Sequence, residues 1–164
     1  MATLAHLIAD GKLKKHEPDM EDFDQPTRFV YLSCNVDIWL GTILKAAPRD
    51  RGRDLNPHEQ VEDLLYGFIT GRPMTYGYHY KPLSALPQKD ASEGSVWELR
   101  TTDVRLIGWF PRRATFLAVC GCLKKDIASA KLYKPYIIET RKFRDEIDID
   151  PPKAIVGDLP SHVL

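Results

Sequence analysis

Residues 96–125 narrow the possible folds of this chain more than any other stretch. They read Val96-Trp97-Glu98-Leu99-Arg100, then Arg105-Leu106-Ile107-Gly108-Trp109-Phe110, then Thr115-Phe116-Leu117-Ala118-Val119-Cys120-Gly121-Cys122-Leu123-Lys124-Lys125. β-Branched and aromatic residues dominate all three segments, and the gaps between them are tight. That pattern predicts a small antiparallel meander. Each segment contains or ends in a cation, so guanidinium and ammonium groups stand on the rungs of the sheet. A cationic sheet face suits a polyanion, and RNA is the polyanion expected.

The charge distribution bears on the same point. The chain of 164 residues has 23 basic and 23 acidic side chains and a net charge of zero. Residues 81–144 hold 13 Lys and Arg against 6 Asp and Glu, about +7, while the remainder holds 10 against 17, about −7. Such asymmetry points to a basic working face with acidic flanks, although two ordinary solvated surfaces would show it as well. The flanking acids include Glu17, Asp19, Glu21, Asp22 and Asp24 at one end and Asp148, Asp150 and Asp158 at the other. Either flank is expected to lie across the basic groove as a phosphate mimic, or else to be solvated or packed elsewhere.

Composition sets the outer bounds. With 43% apolar and 28% charged residues, the chain fits one globular domain with extensions, large enough to bury a core without staples. Cys34, Cys120 and Cys122 form no metal-finger spacing and read as buried free thiols, which implies a reducing, cytoplasmic setting. Cys120 and Cys122 alternate within a strand and share a face. No apolar run approaches the ~20 residues of a membrane span, and residues 1–17 lack the regions of a signal peptide.

Along the chain, residues 1–27 read as an arm outside the core, with a short helix over 2–17 that Gly11 weakens. Residues 28–33 are a strand candidate. Asp37 is positioned to cap a helix over 38–45. Asn56-Pro57 is a strong helix start, followed by Val61, Leu64, Leu65 and Phe68 at helical spacing, with Gly71 and Pro73 as the stop. Residues 74–91 form a loop rich in Tyr, Pro and Gly. After the meander, Lys134-Pro135 opens a last helix to about Glu146, and residues 147–164 are an extended, acidic, proline-containing tail. The expected architecture is α+β: a mostly antiparallel sheet, two N-terminal helices over one face and one C-terminal helix at its edge. The other face, or a groove beside it, would then be open to ligand.

The order of elements and several short motifs together resemble the RelE/ParE toxin superfamily, most closely its phage-derived HigB-like branch. The residues that carry the resemblance are Lys81-Pro82-Leu83, Trp97-Glu98-Leu99-Arg100, Arg105 through Trp109-Phe110, Phe116 through Lys124-Lys125, and Tyr136 through Glu146. The Leu-Leu-x-x-Phe-x-x-Gly of residues 64–71 fits as well, and the likeness covers residues 28–146. It implies a small RelE-like domain there, flanked by an N-terminal arm (1–27) and a tail (147–164). It also implies the toxin of a type II toxin–antitoxin pair, a ribosome-dependent mRNA endonuclease. Its partners would be a helix-turn-helix antitoxin, the ribosome and mRNA, with no membrane and no cofactor or metal.

Such cleavage resembles attack of a 2′-hydroxyl on the adjacent phosphate. It needs a base, a cation for the developing charge and an acid for the leaving oxygen. Arg105 stands where the resemblance places a phosphate-binding arginine, and its planar fork suits two phosphate oxygens. Its ordinary alternative is a solvent-facing arginine. Lys124 and Lys125 would add phosphate charge or serve as a solubilising pair. Tyr133 falls where RelE-like enzymes carry a functional tyrosine, to stack on a base or hold a proton, or else to pack. RelE itself has lysines on the first meander strand where this chain has Val96 and Glu98. His79 and Lys81, on the preceding loop, are therefore the nearest substitutes for the base, and a histidine with a pKa near neutrality suits that task. Glu98 is the other candidate, although a carboxylate facing phosphates would oppose binding. Lys81, Arg100, Tyr78 and Tyr80 are the expected RNA-binding residues, because stacking aromatics interleaved with cations suit single strands. A catalytically inactive RelE-fold binding module and a ParE-like gyrase inhibitor are the alternative functions.

Overall fold

The computed structural model describes residues 2–83, 94–127 and 129–164. In chain order they form α1 (Leu4–Ala9), β1 (Leu13–Lys15), β2 (Phe29–Ser33), α2 (Cys34–Trp39), α3 (Pro57–Ile69), β3 (Tyr80–Pro82), β4 (Trp97–Arg100), β5 (Val104–Arg112), β6 (Thr115–Leu123), α4 (Lys134–Glu146) and α5 (Pro160–Val163). A π-helical turn, Leu40–Leu44, extends α2, and two 3-10 turns, Lys124–Ile127 and Ala130–Tyr133, lead from β6 to α4. The fold is α+β, with one six-stranded mixed sheet ordered β1-β2-β6-β5-β4-β3.

β4, β5 and β6 pair antiparallel in succession, which is the meander read from the sequence. Its register pairs Glu98 with Ile107, Arg100 with Arg105, and Arg105 with Cys122. Ile107 opposes Cys120 while Gly108 opposes Ala118, so Val119 is a bulge residue. Gly108 permits this approach, because a Cβ there would collide with the Leu117 carbonyl. β2 joins β6 in parallel, which makes the sheet mixed. α3 begins as the Asn56-Pro57 signal predicts. Asn56 Oδ1 accepts from Glu59 N–H at 2.9 Å, and the Glu59 carboxylate accepts from Asn56 N–H at 2.8 Å.

Both faces of the sheet are covered. On one, Leu32, Trp97, Leu99, Leu106 and Phe110 pack with Leu40 beyond α2 and with Val61, Leu65 and Phe68 of α3. On the other, Ile107, Trp109, Leu117, Cys120 and Cys122 pack with Leu7 of α1 and Ile137 of α4. The expectation of α4 at the sheet edge with one face open is therefore corrected. The second face is apolar, and burying it against α4 is favourable at roughly 25 cal/mol per Å².

The expected arm outside the core is corrected as well. Leu7 and Leu13 are buried, and β1 adds an edge strand to β2. Gly11, with φ +68, turns the chain from α1 into β1. α2 starts earlier than expected, because the Ser33 hydroxyl caps it by accepting from Val36 N–H at 3.3 Å, while Asp37 pairs with Lys14. The expected extended tail is docked, and it ends in a helical turn: residues 147–159 run without regular structure along the domain, and Pro160–Val163 form α5. Lys153 Nζ donates to the Asp145 and Ile147 carbonyls at the end of α4, each at 2.8 Å. The Trp109 indole donates to the Lys153 carbonyl at 2.8 Å, and Val163 is buried. Cys34 is exposed rather than buried, whereas Cys120 and Cys122 are buried. Within the predicted 74–91 loop, Tyr80–Pro82 is a strand, and the part beyond Leu83 lies outside the described residues. Among the described residues, no helix is long and apolar enough to cross a membrane.

Candidate functional site

A groove of about 510 Å³ opens where β5 begins and β6 ends. The stretch after the π-helical turn contributes Asp50 and Arg53, the β4–β5 turn Asp103, β5 Arg105, the first 3-10 turn Lys124 and Lys125, and the second 3-10 turn Tyr133. The meander register explains the assembly. Val104 opposes Leu123, so the residues just beyond β6 fold back beside the start of β5, and Lys124 N–H donates to the Asp103 carbonyl at 2.7 Å. Lys124 and Lys125 are exposed on the rim.

Arg105 forms the groove's inner wall and is only 3% exposed. Its Nη1 donates to the Thr101 and Val104 carbonyls at 2.6 and 2.7 Å, and its Nε lies 3.6 Å from Glu98. Glu98 is fully buried and is the hub of the site. Lys81 of β3, Arg100 of β4 and Arg105 of β5 approach its carboxylate at 3.7, 3.6 and 3.6 Å. The Tyr133 hydroxyl donates to it at 2.8 Å. Three cations around one carboxylate leave the cluster positive, which answers the objection that Glu98 would repel phosphate. Burial, and then the neighbouring Glu98 carboxylate, push the Tyr133 hydroxyl up to about 12, so it stays protonated and a donor at neutral pH.

The opposite wall is an ordered carboxylate. Asp103 accepts from Arg53 Nε at 3.2 Å and from the Gln60 amide at 2.7 Å. Burial works to raise its carboxyl, but these hydrogen bonds outweigh it and hold the group below its usual range. Among the described residues, Asp50 has no ion-pair partner.

The structure thus brings Arg105, Lys124, Lys125 and Tyr133 into one groove, and it separates the remaining expected residues from them. His79 lies in a second cavity, of about 210 Å³, with Tyr78, Arg100 and Gln60. Its Nδ1 accepts from Thr75 N–H at 2.8 Å. The neutral ring therefore carries its proton on Nε2 and offers a donor there, not a base. Tyr80 is buried and stacks on Trp97 at 6.1 Å, so it presents no face to a base. Tyr78 is 66% exposed. Lys81 and Arg100 reach the site only through Glu98. The acidic flanks do not cover the groove. Asp24 accepts from the Tyr66 hydroxyl and Asp158 from the Ser95 hydroxyl, and among the described residues no acid of either flank lines it.

The sequence lets Glu98 pair with a neighbouring cation, as it does with Arg100, but sequence reasoning missed the three-cation hub, and with it Asp50, Arg53, Asp103 and Gln60. The Glu98-x-Arg100 spacing signals a shared strand face, but only the register brings Lys81 and Arg105 to the same carboxylate. No family model, curated protein or solved structure matches this chain.

Proposed function

We propose that this chain is an RNA-cleaving toxin of the RelE/HigB-like kind, acting in the 510 Å³ groove by 2′-hydroxyl attack on the adjacent phosphate. The observation that carries the reading is the convergence there of Lys124, Lys125, Arg105 and the protonated Tyr133. The two lysines take the non-bridging oxygens of an incoming phosphate. Arg105, fixed from behind by Glu98, meets the charge that develops as the 2′-oxygen bonds to phosphorus. Asp103 is engaged by Arg53 and Gln60, which leaves Asp50 as the carboxylate to accept the 2′-proton. The bond from phosphorus to the 5′-oxygen breaks, and that oxygen takes the Tyr133 hydroxyl proton, which turns to it from the Glu98 carboxylate. A helix-turn-helix antitoxin and the ribosome are the proposed partners.

Inducible expression with mapping of transcript ends tests this. Wild type should arrest growth and leave new ends within messages, and the Lys124→Ala/Lys125→Ala double variant should lose both effects. In RNA binding the double variant should also lower the slope of log affinity against log salt by about 1–2. Intact transcripts with purified ribosomes would overturn the proposal. One observation favours a second reading, a binding module without cleavage. Arg105 is already held by Glu98 and two carbonyls. RNA bound in the groove but recovered uncut would select it.

A further inference from the structure

The second cavity, beside His79, has no part in that chemistry. We propose that it is a subsite for a guanine base of the RNA strand whose phosphate lies in the groove, an inference that rests on the function proposed above. Its volume, about 210 Å³, falls below the roughly 300–1,000 Å³ of pockets that hold drug-sized ligands, so it suits one base rather than a whole nucleotide. It adjoins the groove directly. Gln60 lines the cavity, and its side chain is hydrogen-bonded to Asp103 of the groove wall at 2.7 Å and accepts from Asp103 N–H at 3.2 Å. Glu98 ties the two concavities from beneath, holding Arg100 of the cavity and Arg105 of the groove at 3.6 Å each.

The cavity wall is rich in donors, and its carboxylate, Asp63, accepts from Arg72 Nη1 at 3.1 Å. The Thr75 bond to Nδ1 fixes His79 with its proton on Nε2, and among the described residues that N–H has no acceptor. Arg100 Nη1 donates to the Gly77 carbonyl at 3.1 Å, and among the described residues the rest of its guanidinium has no hydrogen bond. Leu64 and Met74 supply apolar surface, and the Tyr78 ring, perpendicular to His79 with centroids 4.7 Å apart, is 66% exposed and open to stacking. Guanine presents two adjacent acceptors, O6 and N7, which match a guanidinium fork. Adenine places its N6 donor beside N7 and would set donor against donor.

The test is titration of the full chain with GMP, AMP, CMP and UMP, followed by amide chemical shifts. GMP should shift Thr101, Thr102 and His79 and bind about tenfold tighter than AMP, the discrimination of one bidentate contact. His79→Ala should lose most of that preference, and His79→Gln, which keeps a donor, should retain part of it. Arg100→Lys, a point charge without the fork, should level GMP and AMP. Four nucleotides of equal affinity, with shifts confined to Lys124 and Lys125, would overturn the inference and leave a phosphate seat alone. RNA cleaved without base preference would overturn the subsite while the cleavage reading stood. GMP seated beside His79 in a chain that neither binds nor cuts RNA would overturn the cleavage reading and leave a guanine site.

Discussion

Replacing the hub, Glu98→Gln, should destabilise the protein by about 3 kcal/mol, the lower end for leaving a buried charge without its partner. The substitution keeps the side-chain volume, and its amide oxygen still accepts from Tyr133, so the 2.8 Å hydrogen bond survives. The charge is lost, and the amide nitrogen replaces the oxygen that faces Lys81 and Arg100. At 3.6 Å and an effective dielectric of about 20, one unit pair is worth roughly 4–5 kcal/mol before desolvation is counted. Lys81 and Arg100 keep 41% and 24% of their side-chain surface in solvent, so water screens them and each loses only about 0.5 kcal/mol. Arg105 has no such recourse and carries most of the cost. For a chain of this size the melting temperature should fall by about 6–12 °C. Urea denaturation gives the free energy directly, and the loss should persist at high salt, because buried pairs are poorly screened. Glu98→Gln combined with Arg105→Met should recover much of it, since both charges are then gone. A loss below about 1 kcal/mol, or strict additivity in the double variant, would refute the hub.

Three further outcomes follow from burial and ionisation. The Tyr133 hydroxyl lies at about 12 in the native state, above its unfolded value of about 10, so its contribution to stability is present below pH 10 and is lost as pH rises towards 12. Tyr133→Phe should flatten the alkaline fall in unfolding free energy relative to the parent, and parallel curves would contradict this. Cys34 alone should react with a thiol reagent in the native protein, because Cys120 and Cys122 are buried with thiols pushed up to about 12 by burial, so a second native equivalent would argue against the α4 packing. Leu7→Ala should cost about 2–5 kcal/mol in urea denaturation, the usual range for a buried leucine, whereas a solvated N-terminal arm would lose almost nothing.

Much of the scaffold was legible in local sequence. Alternation and tight gaps specified β4, β5 and β6, Asn56-Pro57 specified the start of α3, and Lys134-Pro135 the start of α4, because strand pleats, caps and proline act within a few residues. The same locality placed Arg105, Lys124 and Lys125 at strand ends. Residues 1–27 and 147–164 misled because their polar composition outweighs a few decisive apolar side chains, Leu7, Leu13, Ile149 and Val163. What those side chains meet lies far away in sequence. The site divides in the same way. The family resemblance marked Arg105 and Tyr133 as candidates, but the pairing of Lys81 with Glu98 and of Arg100 with Arg105 comes from strand register. A shift of one residue would turn Glu98 to the other face of the sheet and dissolve the cluster. His79 became a donor through a single backbone N–H from Thr75. Local sequence set which elements form and which charges they carry. Long-range pairing alone decided which of those charges meet, because electrostatic and hydrogen-bond energies depend on distances of a few ångströms that sequence spacing does not encode.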